Sequence, residues 1–115
     1  MSNRKVIFHI DELGKWPLLL GNIANLRGAA AEDVFEIEAL ANAEAVLGYA
    51  AGSNAVDQVA MGRLADEGVR FVACRNAMNG NHLTNDQLLP FVMTVPAGVL
   101  ELVDKQLQGY AYIKP

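Results

Sequence analysis

Short apolar runs rich in β-branched residues punctuate the chain, and between them apolar positions recur at helical spacing. Residues 4–10, RKVIFHI, stop at Asp11-Glu12 and Gly14 and predict a buried first strand. Trp16, Leu19, Leu20, Ile23 and Leu26 then fall at i, i+3, i+4 and i+7, with Pro17 in the first turn and Gly28 as a natural stop, which predicts a helix. Residues 33–41, DVFEIEALA, alternate Val34, Glu36 and Glu38 against Phe35, Ile37 and Ala39. A second strand is expected there, less enclosed than the first, with Glu36 and Glu38 on one side as a carboxylate pair or, more often for such a pattern, a solvated face.

The alanine-rich AEAVLGYAAG reads as a short helix broken by Gly48 and closed by Gly52. Ser53 or Asn54 would cap a helix over residues 55–67, with Val56, Val59, Ala60 and Leu64 inward and Gly68 as its end. Val69–Ala73 is the third strand and runs straight into Cys74. Thr84 to Gln87 has capping-box spacing before a helical turn over Asp86–Phe91. Val92–Val95 is a fourth strand, and Pro96 marks the start of a helix over Ala97–Gln108 that carries Val99, Leu102, Val103 and Leu107 inward. Gly109 ends it, and Tyr110–Ile113 is a fifth strand. Strands thus alternate with helices throughout, which predicts a three-layer α/β/α sandwich on a mostly parallel five-stranded sheet, flavodoxin-like in general architecture.

A length of 115 residues with 52% hydrophobic content suits one domain, residues 1–115, whose core needs no metal or cross-link. The single cysteine excludes an intrachain disulfide or a CxxC couple. The opening MSNRKVIFHIDE has no long apolar stretch, and no run approaches the roughly 20 residues of a membrane span, so a cytoplasmic location is expected. Nine scattered basic residues in a chain of net charge −4 lack the footprint of a nucleic-acid binder. Trp16, Tyr49, Tyr110 and Tyr112 supply large apolar surface that suits either a subunit interface or the core.

In an open parallel sheet, ligands gather beyond the carboxyl ends of the strands. Cys74 stands at such an end, and the same rim should hold His9–Glu12, Asn42–Glu44, Arg75, Asn76 and Asn79. A cysteine attacks as thiolate, which a neighbouring cation or helix amides would stabilise, so Arg75 and the amides after Asn76 are candidates for that role. A free cysteine is also a common buried apolar residue, and position alone does not separate the two readings. GYAAGS lacks the spacing of a phosphate loop, and two distant histidines with one cysteine make no zinc pattern. His9 fits a core or rim position and His82 a solvated loop. Neither histidine can be placed beside Cys74 from sequence.

GVRFVACRNAM followed by VPAGVLELVDKQLQGYAYIKP, with the opening KVIFHIDE and the central NAEAV, resembles the DsrE/DsrF-like family of small sulfur-relay proteins, in the same order over nearly the whole chain. The resemblance implies a cytoplasmic α/β subunit that forms homotrimers or homohexamers and needs no cofactor. It implies that Cys74 accepts sulfur as a persulfide from a donor protein and passes it to an acceptor protein. Asn76 and Ala77 match the motif after that cysteine, and Asn42 matches a polar rim position. The residue after Asn42, often glycine in the family, is Ala43 here, and alanine disfavours a positive φ. A second expectation is a non-catalytic oligomeric scaffold or small-anion-binding module with an unreactive Cys74. Electron transfer with a flavin is suggested only by the doubly wound architecture.

Overall fold

The structure is a computed structural model and describes residues 2–115. Strands β1 (Asn3–Ile10), β2 (Val34–Ala41), β3 (Arg70–Cys74), β4 (Val92–Val95) and β5 (Ala111–Ile113) alternate with helices α1 (Trp16–Ala29), α2 (Gln58–Asp66), α3 (Arg75–Gly80) and α4 (Gly98–Leu107). Short 3-10 segments occupy Leu13–Lys15, Ala43–Tyr49 and Asn85–Gln87. The sheet order is β4-β3-β2-β1-β5, and every ladder is parallel.

Connectivity dictates the layers. From β1 to β4 each step moves the chain one strand in the same direction, so right-handed crossovers put α1, the Ala43–Tyr49 segment, α2 and α3 on one face. The β4 to β5 connection runs back across the sheet and therefore lays α4 on the opposite face. Strand alternation divides the core accordingly. Phe8, Ile10, Ala39, Ala41, Phe71 and Ala73 pack on Trp16, Leu19, Ile23, Tyr49 and Met61, whereas Ile7, Leu40 and Val72 meet Leu102 and Tyr110 under α4.

Two buried polar tips hold the larger face in register. The Trp16 indole N–H donates to the Ala45 carbonyl at 2.9 Å, and the Tyr49 hydroxyl donates to the Ala39 carbonyl at 2.8 Å. Gly48 lies flat against that indole, and a Cβ there would collide with it. The 3-10 segment therefore winds around Trp16, where the alanine-rich sequence had suggested a short regular helix.

Several expectations need correction. The second strand is the central strand, bonded on both sides, and its last five residues are buried. Glu38 is accordingly 1% exposed and not on a solvated side. The α2 N-cap is Asp57, whose carboxylate accepts from the Ala60 N–H, and the helix turns Met61 inward while Val59 stays 69% exposed. On α4 the inward residues are Gly98 and Leu102; Val99, Val103 and Leu107 face outward. That helix is rotated by the need to bring Gly98 onto the sheet and the amphipathic Lys105 stem toward Glu38. Its N-cap is Ala97, so Pro96 precedes the helix. The capping box at Thr84 and Gln87 forms, but it starts only the 3-10 turn. Helix α3 was anticipated only as helix amides following Asn76 and not in its extent, because six residues without a clear apolar stripe carry little periodicity.

Candidate functional site at the end of strand β3

At the carboxyl end of the sheet, β3 exits to α3 on one face and β4 exits to α4 on the other. Adjacent strands whose connections part in this way open the crevice where α/β proteins bind ligands. Cys74 pairs with Val95 across that parting, so the cysteine stands at the switch point itself. Its side chain shares the α4 face with Val72, two residues earlier.

The start of α4 lies directly on it. A Cβ at Gly98 would come within 3.2 Å of the Cys74 Cβ, 3.4 Å of Leu40 Cδ2 and 3.6 Å of the Asn42 Cβ. Glycine at this position lets the first turn of α4, with its unpaired amide hydrogens, approach the cysteine. The same approach leaves Cys74 only 6% exposed.

Asn42 follows the last residue of β2, one step beyond the Ala41–Ala73 pair, and is therefore level with Cys74 on the next strand. Its backbone N–H donates to the Ile10 carbonyl at 3.0 Å, and its side-chain oxygen lies 3.1 Å from His9 Nε2. His9 Nδ1 in turn lies 2.7 Å from the Tyr112 hydroxyl. Ala43 adopts φ +49°, the left-handed conformation that alanine disfavours, at a cost of about 1–2 kcal/mol. The Asn81 amide offsets it by donating to the Ala43 carbonyl at 3.2 Å and the Ala77 carbonyl at 2.8 Å. Glu44 accepts from the Leu13 N–H at 2.9 Å and ties the loop after β2 to the loop after β1. The rim is braced, and Asn42 is held by it.

The structure brings Asn42 level with Cys74 on the adjacent strand, places His9 one strand further away against Asn42, and does not bring Arg75 to the thiol. The Arg75 guanidinium donates to Thr94 Oγ1 at 2.6 Å, and Thr94 pairs with Ala73, so its hydroxyl belongs to the face opposite the thiol. Asn76 stands exposed on the first turn of α3, and His82 is exposed as expected. Gly98 and Tyr112 escaped the sequence reading. A glycine at the first helical position after Pro96-Ala97, and the same-face spacing of Tyr110 and Tyr112, were their only signals.

A second polar cluster lies lower on the α4 face. Glu38 Oε1 accepts from Arg70 at 3.3 Å and lies 3.9 Å from Lys105 Nζ, while its Oε2 has no partner. Arg70 also donates to the Tyr110 hydroxyl at 2.8 Å. Burial, and then the neighbouring Glu101 carboxyl, push Glu38 up to about 7 despite the opposing Arg70. Two open clefts, of about 430 and 300 Å³, lie along β4 beside Leu88–Pro90 and near Arg27, Asp33 and Glu67; neither includes Cys74. Among the described residues no group of His, Cys, Asp and Glu is arranged to hold a metal, and no helix is long and apolar enough to cross a membrane.

An all-parallel α/β sheet with one cysteine at its switch point, under the start of the last crossover helix, defines the class of this protein. The model of the DsrE/DsrF-like family matches residues 24–115, and the chain belongs to that family. Among solved structures it is similar to the protein of unknown function MTH1491 from Methanobacterium thermoautotrophicum, with TM-score 0.88 and 32% identity over 97% of this chain and 99% of that one. The ychN protein from E. coli shares the fold, with TM-score 0.73 and 16% identity over the full length of both. No curated protein sequence matches the chain.

Proposed function

We propose that this protein is a cytoplasmic persulfide carrier or sulfurtransferase-like subunit in which Cys74 accepts sulfur. The observation that carries this reading is the position of Cys74 at the switch point of a DsrE/DsrF-like sheet, against the amide-rich first turn of α4. In the loading step the Cys74 thiolate attacks the outer sulfur of a donor protein's persulfide. The new bond joins that sulfur to Cys74, the donor's S–S bond breaks, and the donor leaves as thiolate, so no external oxidant or reductant is consumed. An acceptor protein's thiolate removes the sulfur by the same exchange. The anionic outer sulfur is favoured by the amides of α4. Arg75, bonded to Thr94, and Asn76, on the exposed start of α3, are proposed to meet the donor or acceptor protein at the rim.

Assembly belongs to the same proposal. Val99, Leu100, Val103 and Leu107 are each more than half exposed on α4, and Met93, Tyr112 and Ile113 are exposed on the two edge strands. An apolar surface of that kind suits a homotrimer or homohexamer.

The 6% exposure of Cys74 favours a second reading, a non-catalytic oligomeric module with an unreactive thiol. Reduced protein incubated with a small-molecule persulfide donor separates the two by intact mass. The carrier gains one sulfur atom, and Cys74→Ser does not. No gain in the native protein, or an equal gain in Cys74→Ser, defeats the carrier reading.

A further inference from the structure

We propose that Tyr112 and His9 are positioning residues that act through Asn42 to aim an amide N–H at the sulfur of Cys74, a role that rests on Cys74 being the sulfur acceptor. His9, Asn42 and Tyr112 form one hydrogen-bonded line across the α4 face, from the β5 edge through β1 to the end of β2. Asn42 stands between β1 and β3. Its Oδ1 points toward β1, 3.1 Å from His9 Nε2. A carboxamide is planar and its two arms diverge, so the NH2 arm leaves Asn42 on the side away from His9, and Asn42 stands level with Cys74 on the adjacent strand, both Cβ atoms against Gly98.

The direction of every bond in the line follows from that geometry. Oδ1 carries no hydrogen, so His9 Nε2 must donate to it. A neutral imidazole then accepts at Nδ1, and the Tyr112 hydroxyl, 2.7 Å away, donates. Without that hydroxyl the imidazole proton is free to move to Nδ1. Nε2 would then accept, the Asn42 amide would turn over, and its oxygen would face the sulfur. An oxygen lone pair beside a thiolate or persulfide anion repels it, whereas the NH2 arm donates to it. Tyr112 thereby decides which end of Asn42 the sulfur meets.

Arg75 and Lys114 are engaged elsewhere and do not replace the amide, and the carboxylates Glu12, after β1, and Glu101, in the first turn of α4, have nothing to donate to an anionic sulfur. Arg75 is bonded to Thr94, Lys114 to Asp11 at 3.0 Å, and Glu44 to the Leu13 N–H. Tyr112 is 41% exposed on an edge strand, so Tyr112→Phe removes the donor while keeping the ring beside His9, where the centroids are 5.7 Å apart.

The test follows the thiol itself. The midpoint of Cys74 ionisation is read in the native protein from the pH dependence of alkylation, and from thiolate absorbance relative to Cys74→Ser should alkylation be slow. The His9 tautomer is read from imidazole 15N shifts. The expected wild-type tautomer is Nε2–H. Tyr112→Phe should raise the midpoint by about one pH unit, a roughly tenfold slower reaction below it, and Asn42→Asp should raise it at least as far. In an Asn42→Ala background Tyr112→Phe should have no further effect, a coupling that a merely structural tyrosine would not show. An Nδ1–H tautomer in the wild type, an unchanged midpoint in Tyr112→Phe, or a full effect in the Asn42→Ala background would overturn the proposal. A protein that takes no sulfur yet shows the shift loses the carrier role and keeps the positioning line. Normal sulfur loading without the shift does the reverse.

Discussion

Glu38 shows what a single residue costs and controls in this fold. It sits on the central strand with one carboxylate oxygen on Arg70 and the other unpartnered, beside Glu101 of α4. The folded protein holds the Glu38 proton more tightly than the unfolded chain, from an ordinary 4.5 up to about 7. Its contribution to stability is therefore complete below about pH 4.5 and is lost as pH rises through about 7. Chemical denaturation should show up to about 3 kcal/mol less stability at pH 8 than at pH 4.5 from this group. Glu38→Gln should flatten that slope and be the more stable protein at pH 8; a wild-type slope of the opposite sign would count against the assignment. The sequence pattern put Glu38 correctly on a strand and on the same side as Glu36. It did not reveal the cover, because Lys105 and Glu101 arrive from more than 60 residues away.

At the scale of elements, α4 is the lightly held one. Leu102 is its one large buried side chain, worth about 2–3 kcal/mol, and its start is seated by the absence of a Cβ at Gly98. Gly98→Val would force that turn away from Cys74 and Asn42. The expected result is a loss of about 1–3 kcal/mol in unfolding free energy, together with faster alkylation of Cys74 in the native protein. Unchanged alkylation with intact folding would show that α4 does not cover the thiol. The strands β1 to β4 were legible to within a residue at most ends, because β-branched runs bounded by glycine and acidic residues carry their own signal. The helical faces were less so. An apolar stripe names a side of the helix: for α2 it put Val56 and Leu64 on the core and missed that Met61 rather than Val59 completes the docked side, whereas on α4 Gly98 fits the sheet where Val99 does not.

The densest exposed apolar surface of the molecule is the outer side of α4, with further exposed apolar side chains on the two sheet edges and at Leu18, Val34 and Val59. Sedimentation equilibrium at micromolar concentration should give a trimer or hexamer, and Val99→Glu with Val103→Glu should give a folded monomer. A monomeric wild type would remove the proposed assembly. The α/β alternation, the parallel sheet and Cys74 at a strand end followed from the sequence by itself, because periodicity and turn residues are local and the handedness of crossovers is general. Strand order, the face on which α4 lies, the turning of Arg75 toward Thr94, and the line from Tyr112 to Asn42 were decided by the tertiary structure alone. Each joins residues far apart in the chain, and their distance is set by how the layers pack, which no local pattern encodes.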